Sequence, residues 1–217
     1  MAAGDVTDTM VDVLQIRMEN PAGDKFTDSM CLDALNYSQK KTALFVHPNY
    51  LSELQVLSTA GDAAASKKAF PTGANKPLNG AEGILEVYSA DKSKYMKKTR
   101  VEEQKRLENT YLAGGATNLT YYLFDEFIWI TTGSADESLQ EYYLVTPTEM
   151  TTDVDPVLNS GLHDIILKFA EAILWTANDK LDRRVAAYQD ALNQIKRLND
   201  IAYASEPEGI GTQNSDG

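Results

Sequence analysis

Two histidines, one cysteine and a scatter of carboxylates are the groups in this 217-residue chain whose types could support chemistry. Hydrolysis and group transfer need a nucleophile beside a base. His47 stands next to Pro48 and His163 opens a helical pattern, and neither has a partner at an activating spacing. His163-Asp164 reads first as a helix-start pair, its carboxylate favoured by the helix dipole. Zinc would need clustered ligands, but Cys31, His47 and His163 are all more than ten residues apart. Cys31 lies inside a helical pattern and reads as a small buried apolar group, suited to a reducing compartment such as cytoplasm. Asp136, Glu137 and Glu141 lack the glycine-centred spacing of a calcium loop and read as a solvated hairpin end. Gly114-Gly115 and Gly209-Ile210-Gly211 have no Lys-Ser/Thr pair after them, so neither predicts a phosphate cradle. The expectation is a non-enzyme with no metal and no cofactor.

Charge sharpens that expectation. The formal charge is −12, a sign unsuited to gripping phosphates. Residues 67 to 106 hold 10 of the 20 basic side chains, whereas residues 107 to 161 hold none against 9 acids. Such polarity suits a subunit that meets charged neighbours on different faces. It equally suits a solvated loop beside an acidic sheet. The aromatic concentration (Tyr121, Tyr122, Phe124, Phe127, Trp129, Tyr142, Tyr143) lies in the stretch without Lys or Arg. Packed sheet faces or a protein interface account for those rings better than single-stranded nucleic acid does.

The elements that must position these groups follow from periodicity. Residues 7 to 19 place Met10, Val13, Leu14 and Met18 at helical spacing, with Thr7-Asp8 at the start. A second helix over 27 to 45 starts at Thr27-Asp28 and stops at His47-Pro48. Its Leu32, Leu35, Asn36, Gln39 and Ala43 form one stripe, so two amides flank the apolar face, and Lys40 and Lys41 suit its C-terminal dipole. Between 53 and 150, short aromatic and β-branched runs separated by Gly, Asn, Asp and Ser predict strands. The last three are spaced as an antiparallel meander, with residues 133 to 138 as a hairpin loop. Residues 60 to 82 read as an exposed loop and 91 to 106 as a basic, partly helix-competent insertion.

From 162 to 203 there is no Pro or Gly, and Leu162, Ile166, Phe169, Ile173, Ala177, Leu181, Val185, Tyr188, Leu192 and Ile195 step by three or four. Either one long helix results, or a pair turned at Asn178-Asp179. Residues 204 to 217 are small, polar and acidic, a flexible tail that is either plainly disordered or an arm ordering on a partner. No run of 18 uninterrupted apolar residues occurs and the N-terminus is acidic, which predicts no membrane span and no signal peptide. The expected fold class is α+β: a helical body of two N-terminal and long C-terminal helices, with a small antiparallel sheet and extended loops. One domain over 1 to 203 is the default.

Read in order, these pieces resemble the head-to-tail adaptor, or connector, proteins of tailed bacteriophages. The early helix DSMCLDALNYSQKKTA has an acidic start, leucines and an Asn-x-x-Gln step, Asn36 and Gln39. His47-Pro48, a strand from Glu53 to Thr59 and a Phe70-Pro71-Thr72-Gly73 loop follow. TYYLFDEFIWITTGSADESLQEYYLVTPTEM is similar to the family's paired strands, leaving through Pro147, and VLNSGLHDIILKFAEAILW and AAYQDALNQIKRL are similar to its closing helices. The basic insertion and the tail depart from the usual pattern.

The resemblance implies a structural virion protein at the head-tail junction, made in the host cytoplasm. Its copies would form a ring, usually twelvefold, docked under the portal and meeting a tail nozzle or tube protein. The ring seals and extends a channel through which DNA passes without specific binding during ejection. In that setting Tyr203, Pro207 and Ile210 are the candidate portal-binding tail. Asp125, Glu126, Asp136, Glu137 and Glu141 are candidate channel or subunit-interface acids, and Lys94, Lys97, Lys98 and Arg100 a candidate inter-subunit basic insertion. The alternative class is an acidic DNA mimic or regulatory binding protein, which net charge alone supports and the basic insertion interrupts.

Overall fold

A computed structural model describes residues 4–20, 23–64, 66–103, 119–131 and 137–205. Helices and strands segregate into two compact units: residues up to Leu51 with those from Glu149 onward, and Ser52–Thr148 between them. The fold is mixed α+β, with two N-terminal helices, two packed C-terminal helices and two small sheets among the described residues.

In the helical unit, α1 (Asp5–Arg17) buries Thr7, Met10, Val11, Leu14 and Gln15 along one stripe. It starts two residues earlier than Thr7-Asp8 suggests, because its cap comes from far away. Gly4 precedes it with no side chain to offer, and Asp155 Oδ1 accepts the Val6 and Thr7 amides at 3.0 and 3.3 Å. A carboxylate there also meets the positive end of the helix dipole. α2 (Asp28–Phe45) does start at Thr27, whose hydroxyl accepts the Met30 amide. Its buried face runs through Cys31, Ala34, Leu35, Ser38, Gln39, Thr42 and Ala43, with Leu32 and Asn36 at the edge.

The region after residue 162 is two helices. α3 (His163–Ala177) and α4 (Leu181–Ser205) are joined by a turn in which Asp179 takes φ 53° and the Lys180 amide bonds back to the Trp175 carbonyl. That left-handed residue ends α3 by satisfying its last carbonyls. α3 is apolar on most sides, burying Ile165, Ile166, Leu167, Phe169, Ala170, Ala172, Leu174 and Trp175, and α1, α2 and α4 all pack against it. α4 buries a narrow line of Ala187, Ala191, Ile195 and Ala202. Small residues let its backbone approach α3, so Leu181 and Val185, the apolar stripe expected from spacing, stay exposed.

The β unit contains β1 (Gln55–Leu57), β2 (Gly61–Asp62), β3 (Lys67–Ala69), β4 (Ile84–Ser89), β5 (Lys94–Tyr95), β6 (Lys97–Lys98), β7 (Thr120–Phe124), β8 (Phe127–Ile130) and β9 (Ser138–Leu144). One sheet has the order β1-β9-β4-β5, with β2 also on β9; the other has the order β3-β8-β7-β6. All pairings are antiparallel except β6 with β7. The expected three-strand meander is therefore corrected. β7 and β8 form a hairpin, but β9 leaves them to become the centre of the other sheet; residues 133 to 136 of the expected hairpin loop lie outside the described residues. The core gathers Phe70, Ile84, Val87, Met96, Tyr121, Ile128, Leu139 and Tyr143. Two further expectations change: the loop at 60 to 82 contributes β2, β3 and the buried Phe70 and Leu78, and the described part of the insertion at 91 to 106 forms strands and a short 3-10 turn instead of an α-helix.

Candidate interaction surfaces

The acids fall into two groups. Asp125 and Glu126 form the two-residue turn between β7 and β8, both at positive φ (51° and 59°), and both are exposed. That turn usually carries Asn-Gly, so two acidic residues hold it against their steric preference. Lys76 reaches Glu126 at 3.3 Å, and the neighbouring Phe124 is 57% exposed. Glu137 and Glu141, by contrast, are fully buried. Lys92 Nζ lies 3.0 Å from Glu137, which also accepts from Ser89. Lys68 Nζ sits astride Glu141, 2.8 Å from Oε1 and 3.1 Å from Oε2, and Ser58 donates to the same carboxylate. The 2.8 Å approach is off the hydrogen-bonding direction, so Oε1 receives charge rather than a hydrogen bond. These two acids bring lysines inward and offer no charge to a channel. Asp136 lies outside the described residues.

Lys94, Lys97, Lys98 and Arg100 are exposed along a strand segment that passes from one sheet to the other. β5 is the edge of the first sheet and β6 the edge of the second, with buried Met96 between them. Edge strands with lysines resist adventitious pairing while leaving backbone groups open to a chosen one.

Sequence reasoning did not separate the tyrosines by face. Tyr121 and Tyr143 point into the core, and burial, then the charge of Glu86, pushes the Tyr121 hydroxyl up to about 12. Tyr122 stacks on Trp129 with ring centres 6.0 Å apart, and Lys67 lies 5.2 Å over Trp129 and 4.7 Å over Phe127. The outer face of the first sheet collects Leu57, Glu86, Tyr88, Tyr95, Gln140 and Tyr142 around a shallow recess of about 550 Å³. Cross-strand register places them together: Leu57 opposite Tyr142, Glu86 opposite Tyr142, Tyr88 opposite Gln140 and Tyr95. Leu57 and Tyr95 are 60% and 69% exposed, a surface of the composition that interfaces favour. Alternation within the strands was the available signal, but it required knowing that β9 pairs with β4.

In the helical unit His163 and Asp164 turn to different partners. His163 Nε2 donates to the Leu158 carbonyl at 3.0 Å, while Asp164 accepts from Arg17 and Gln194, each at 2.7 Å. Burial alone would raise the Asp164 carboxyl, but those hydrogen bonds with the charges of Arg17 and Lys168 outweigh it and hold it below the usual range. His47 caps the 3-10 turn at Pro48–Tyr50 and meets the edge of Tyr203 at 4.9 Å. Burial, then Asp28, raises the Cys31 thiol to about 11, which keeps it protonated and unreactive at neutral pH. Among the described residues no group of three His, Cys, Asp or Glu is placed to hold a metal, and no helix is long and apolar enough to cross a membrane. Tyr203 is exposed on the last turn of α4, and Pro207 and Ile210 lie outside the described residues.

The two amides of α2 hold the chain where it re-enters the helical unit. Asn36 Nδ2 donates to the Met150 carbonyl at 3.0 Å and its Oδ1 accepts the Met150 amide at 2.7 Å. Gln39 Oε1 accepts the Val157 amide at 3.0 Å. Asn36→Leu keeps the size but leaves both backbone groups of buried Met150 unpaired, which should cost about 2–3 kcal/mol. Urea unfolding checks this, with loss of hydrogen-exchange protection in α2 as the local readout; a cost below about 0.5 kcal/mol would show that the clasp is dispensable.

A groove lies along the opposite edge of the buried face of α2, lined by Tyr37, Lys41, Phe169, Ile173, Arg184 and Tyr188, with a volume of about 500 Å³. Lys41 Nζ is 4.9 Å from the Phe169 ring centre and 4.4 Å from that of Tyr188. Spacing alone assigned Lys41 to the helix dipole; the packing of α3 and α4 against α2 makes it a cation over two rings instead.

No protein-family model and no curated protein matches the chain.

Proposed function

We propose that this chain is a structural virion protein, a subunit of an adaptor ring between the portal and the tail of a tailed bacteriophage. The observation that carries the reading is order along the chain. An amide-bearing helix, His47-Pro48, a strand, the Phe70-Pro71-Thr72-Gly73 turn, tyrosine-rich strands leaving at Pro147 and a closing helix pair succeed one another as in that family. The chemistry of the surfaces is that of a binding protein: an exposed tyrosine face, lysine-bearing sheet edges and an aromatic groove with cations at its rim. Its work is binding and sealing, without turnover, and the partners are further copies of itself, the portal and a tail nozzle or tube protein.

In this role DNA passes without being gripped, and acids facing the passage repel phosphate. Of the five acids read from sequence, Asp125 and Glu126 are the described ones with exposed charge to do this. The burial of Glu137 and Glu141 also weakens the DNA-mimic alternative, because two acids of the array are neutralised internally. Mass spectrometry and cross-linking of purified particles test the assignment. Copy number should be about twelve per particle, the ring size that the resemblance implies, with cross-links to the portal. Absence of the chain from intact particles would overturn the proposal.

A further inference from the structure

The groove between α2, α3 and α4 has an apolar floor and two cations, and neither cation has a carboxylate partner among the described residues. Phe169 is 1% exposed at the floor, Tyr37 is 60% exposed at the mouth, and Lys41 and Arg184 line the rim. An aromatic recess beside two cations that have no carboxylate partner among the described residues fits an acidic segment that carries one isolated apolar side chain.

The chain carries such a segment. Residues 204 to 217 contain three acids and no base, and Ile210 is their single large aliphatic residue. Alternate residues of an extended strand share a face, so if this segment docked in extended form Glu206, Glu208 and Ile210 would present to one side, each step of two covering about 6.6 Å. Two carboxylates then stand beside one isoleucine, as two cations stand beside one recess. Gly209 and Gly211 flank the isoleucine without Cβ atoms, which lets the backbone approach the groove closely. The groove exceeds the needs of one side chain and has room for that backbone.

Chain reach decides whose segment it is. About 26 Å of helix separates Tyr188 from Ser205 at 1.5 Å per residue. The five residues from Ser205 to Ile210 span at most about 18 Å even fully extended. Backbone reach alone therefore leaves Ile210 about 8 Å short of Tyr188 in its own chain, which favours the groove of another copy. We propose that the groove receives Ile210 from a second copy, with Glu206 and Glu208 of that copy pairing to Lys41 and Arg184. The tail is then a tie between copies, a head-to-tail contact of the kind that generates rings.

The test uses the full chain alone, without any particle component. A benzoylphenylalanine at Thr212 leaves Ile210 in place, and equal amounts of isotopically heavy and light chains are mixed, photolysed and digested. Mixed heavy-light cross-links to groove peptides containing Tyr37, Ile173 or Tyr188 are expected. Ile210→Asp should abolish them, and Glu206→Lys with Glu208→Lys should reduce them about tenfold. Adding Lys41→Glu and Arg184→Glu on the other chain should restore them. Cross-links confined to one isotope, cross-links elsewhere, or none would overturn the inference, as would variants that leave the yield unchanged. Because this needs no phage component, its failure leaves the particle assignment standing, and absence from particles would leave a positive cross-link standing.

Discussion

Replacing Lys68 by methionine is expected to destabilise the β unit by about 3–5 kcal/mol, because it strands a buried carboxylate. Glu141 has no exposed side-chain surface and Lys68 only 17%, so water cannot take over the lysine's role. Ser58 would remain as a donor to Glu141, and one neutral hydroxyl does not neutralise a charge. The sign reverses when both partners go. Lys68→Met with Glu141→Met should recover to within about 1 kcal/mol of the parent, since the desolvation cost of both charges disappears together. Urea unfolding of the four members of this double-mutant cycle measures the coupling. A single-variant cost below about 1 kcal/mol would mean that the pair behaves as an exposed one and that the burial argument is wrong.

Gly83→Ala should be as damaging for a steric reason. A Cβ at this position would stand 2.5 Å from the Leu78 carbonyl oxygen, 2.7 Å from the Leu78 nitrogen and 3.1 Å from the Leu144 carbonyl oxygen. All three are backbone atoms and cannot rotate away. Two of them make the local ladder, the Leu78 N–H donating to the Leu144 carbonyl at 2.7 Å, and Leu144 N–H donates in turn to the Gly83 carbonyl at 2.9 Å. Relief of the clash would therefore break the hydrogen bonds that hold β9 beside the start of β4, where the register already shifts between Ile84 and Glu86. Overpacking with at least one lost hydrogen bond costs about 3 kcal/mol or more. Thermal unfolding and exchange protection of β9 check it; an unchanged melting temperature would show that the close approach is not maintained in solution.

These effects show where reading along the chain stops. The two N-terminal helices, the strand region and the α+β class were legible, because each rests on a period that neighbouring residues repeat. The turn at Asn178-Asp179 was legible as one of two choices. The fate of Glu137 and Glu141 was not: a carboxylate in an alternating strand reads as solvent-facing, and Lys92 and Lys68, which permit its burial, lie 45 and 73 positions away. A separation of 149 positions hid the cap of α1, supplied by Asp155.

The groove was partly legible. Phe169 and Tyr188 stood in the apolar pattern and Lys41 in the polar one, but only the packing of three helices sets a cation over both rings. Sequence by itself determined the inventory, namely the lysine-free acidic stretch, the amide pair on α2, the scarcity of nucleophile-base pairs and the lone isoleucine in an acidic tail. Tertiary structure decided which of those charges are spent inside the protein and which remain at a surface. The physical reason is that periodicity is local, whereas the partner that neutralises a buried charge or crowds a glycine is brought in by chain segments remote in sequence.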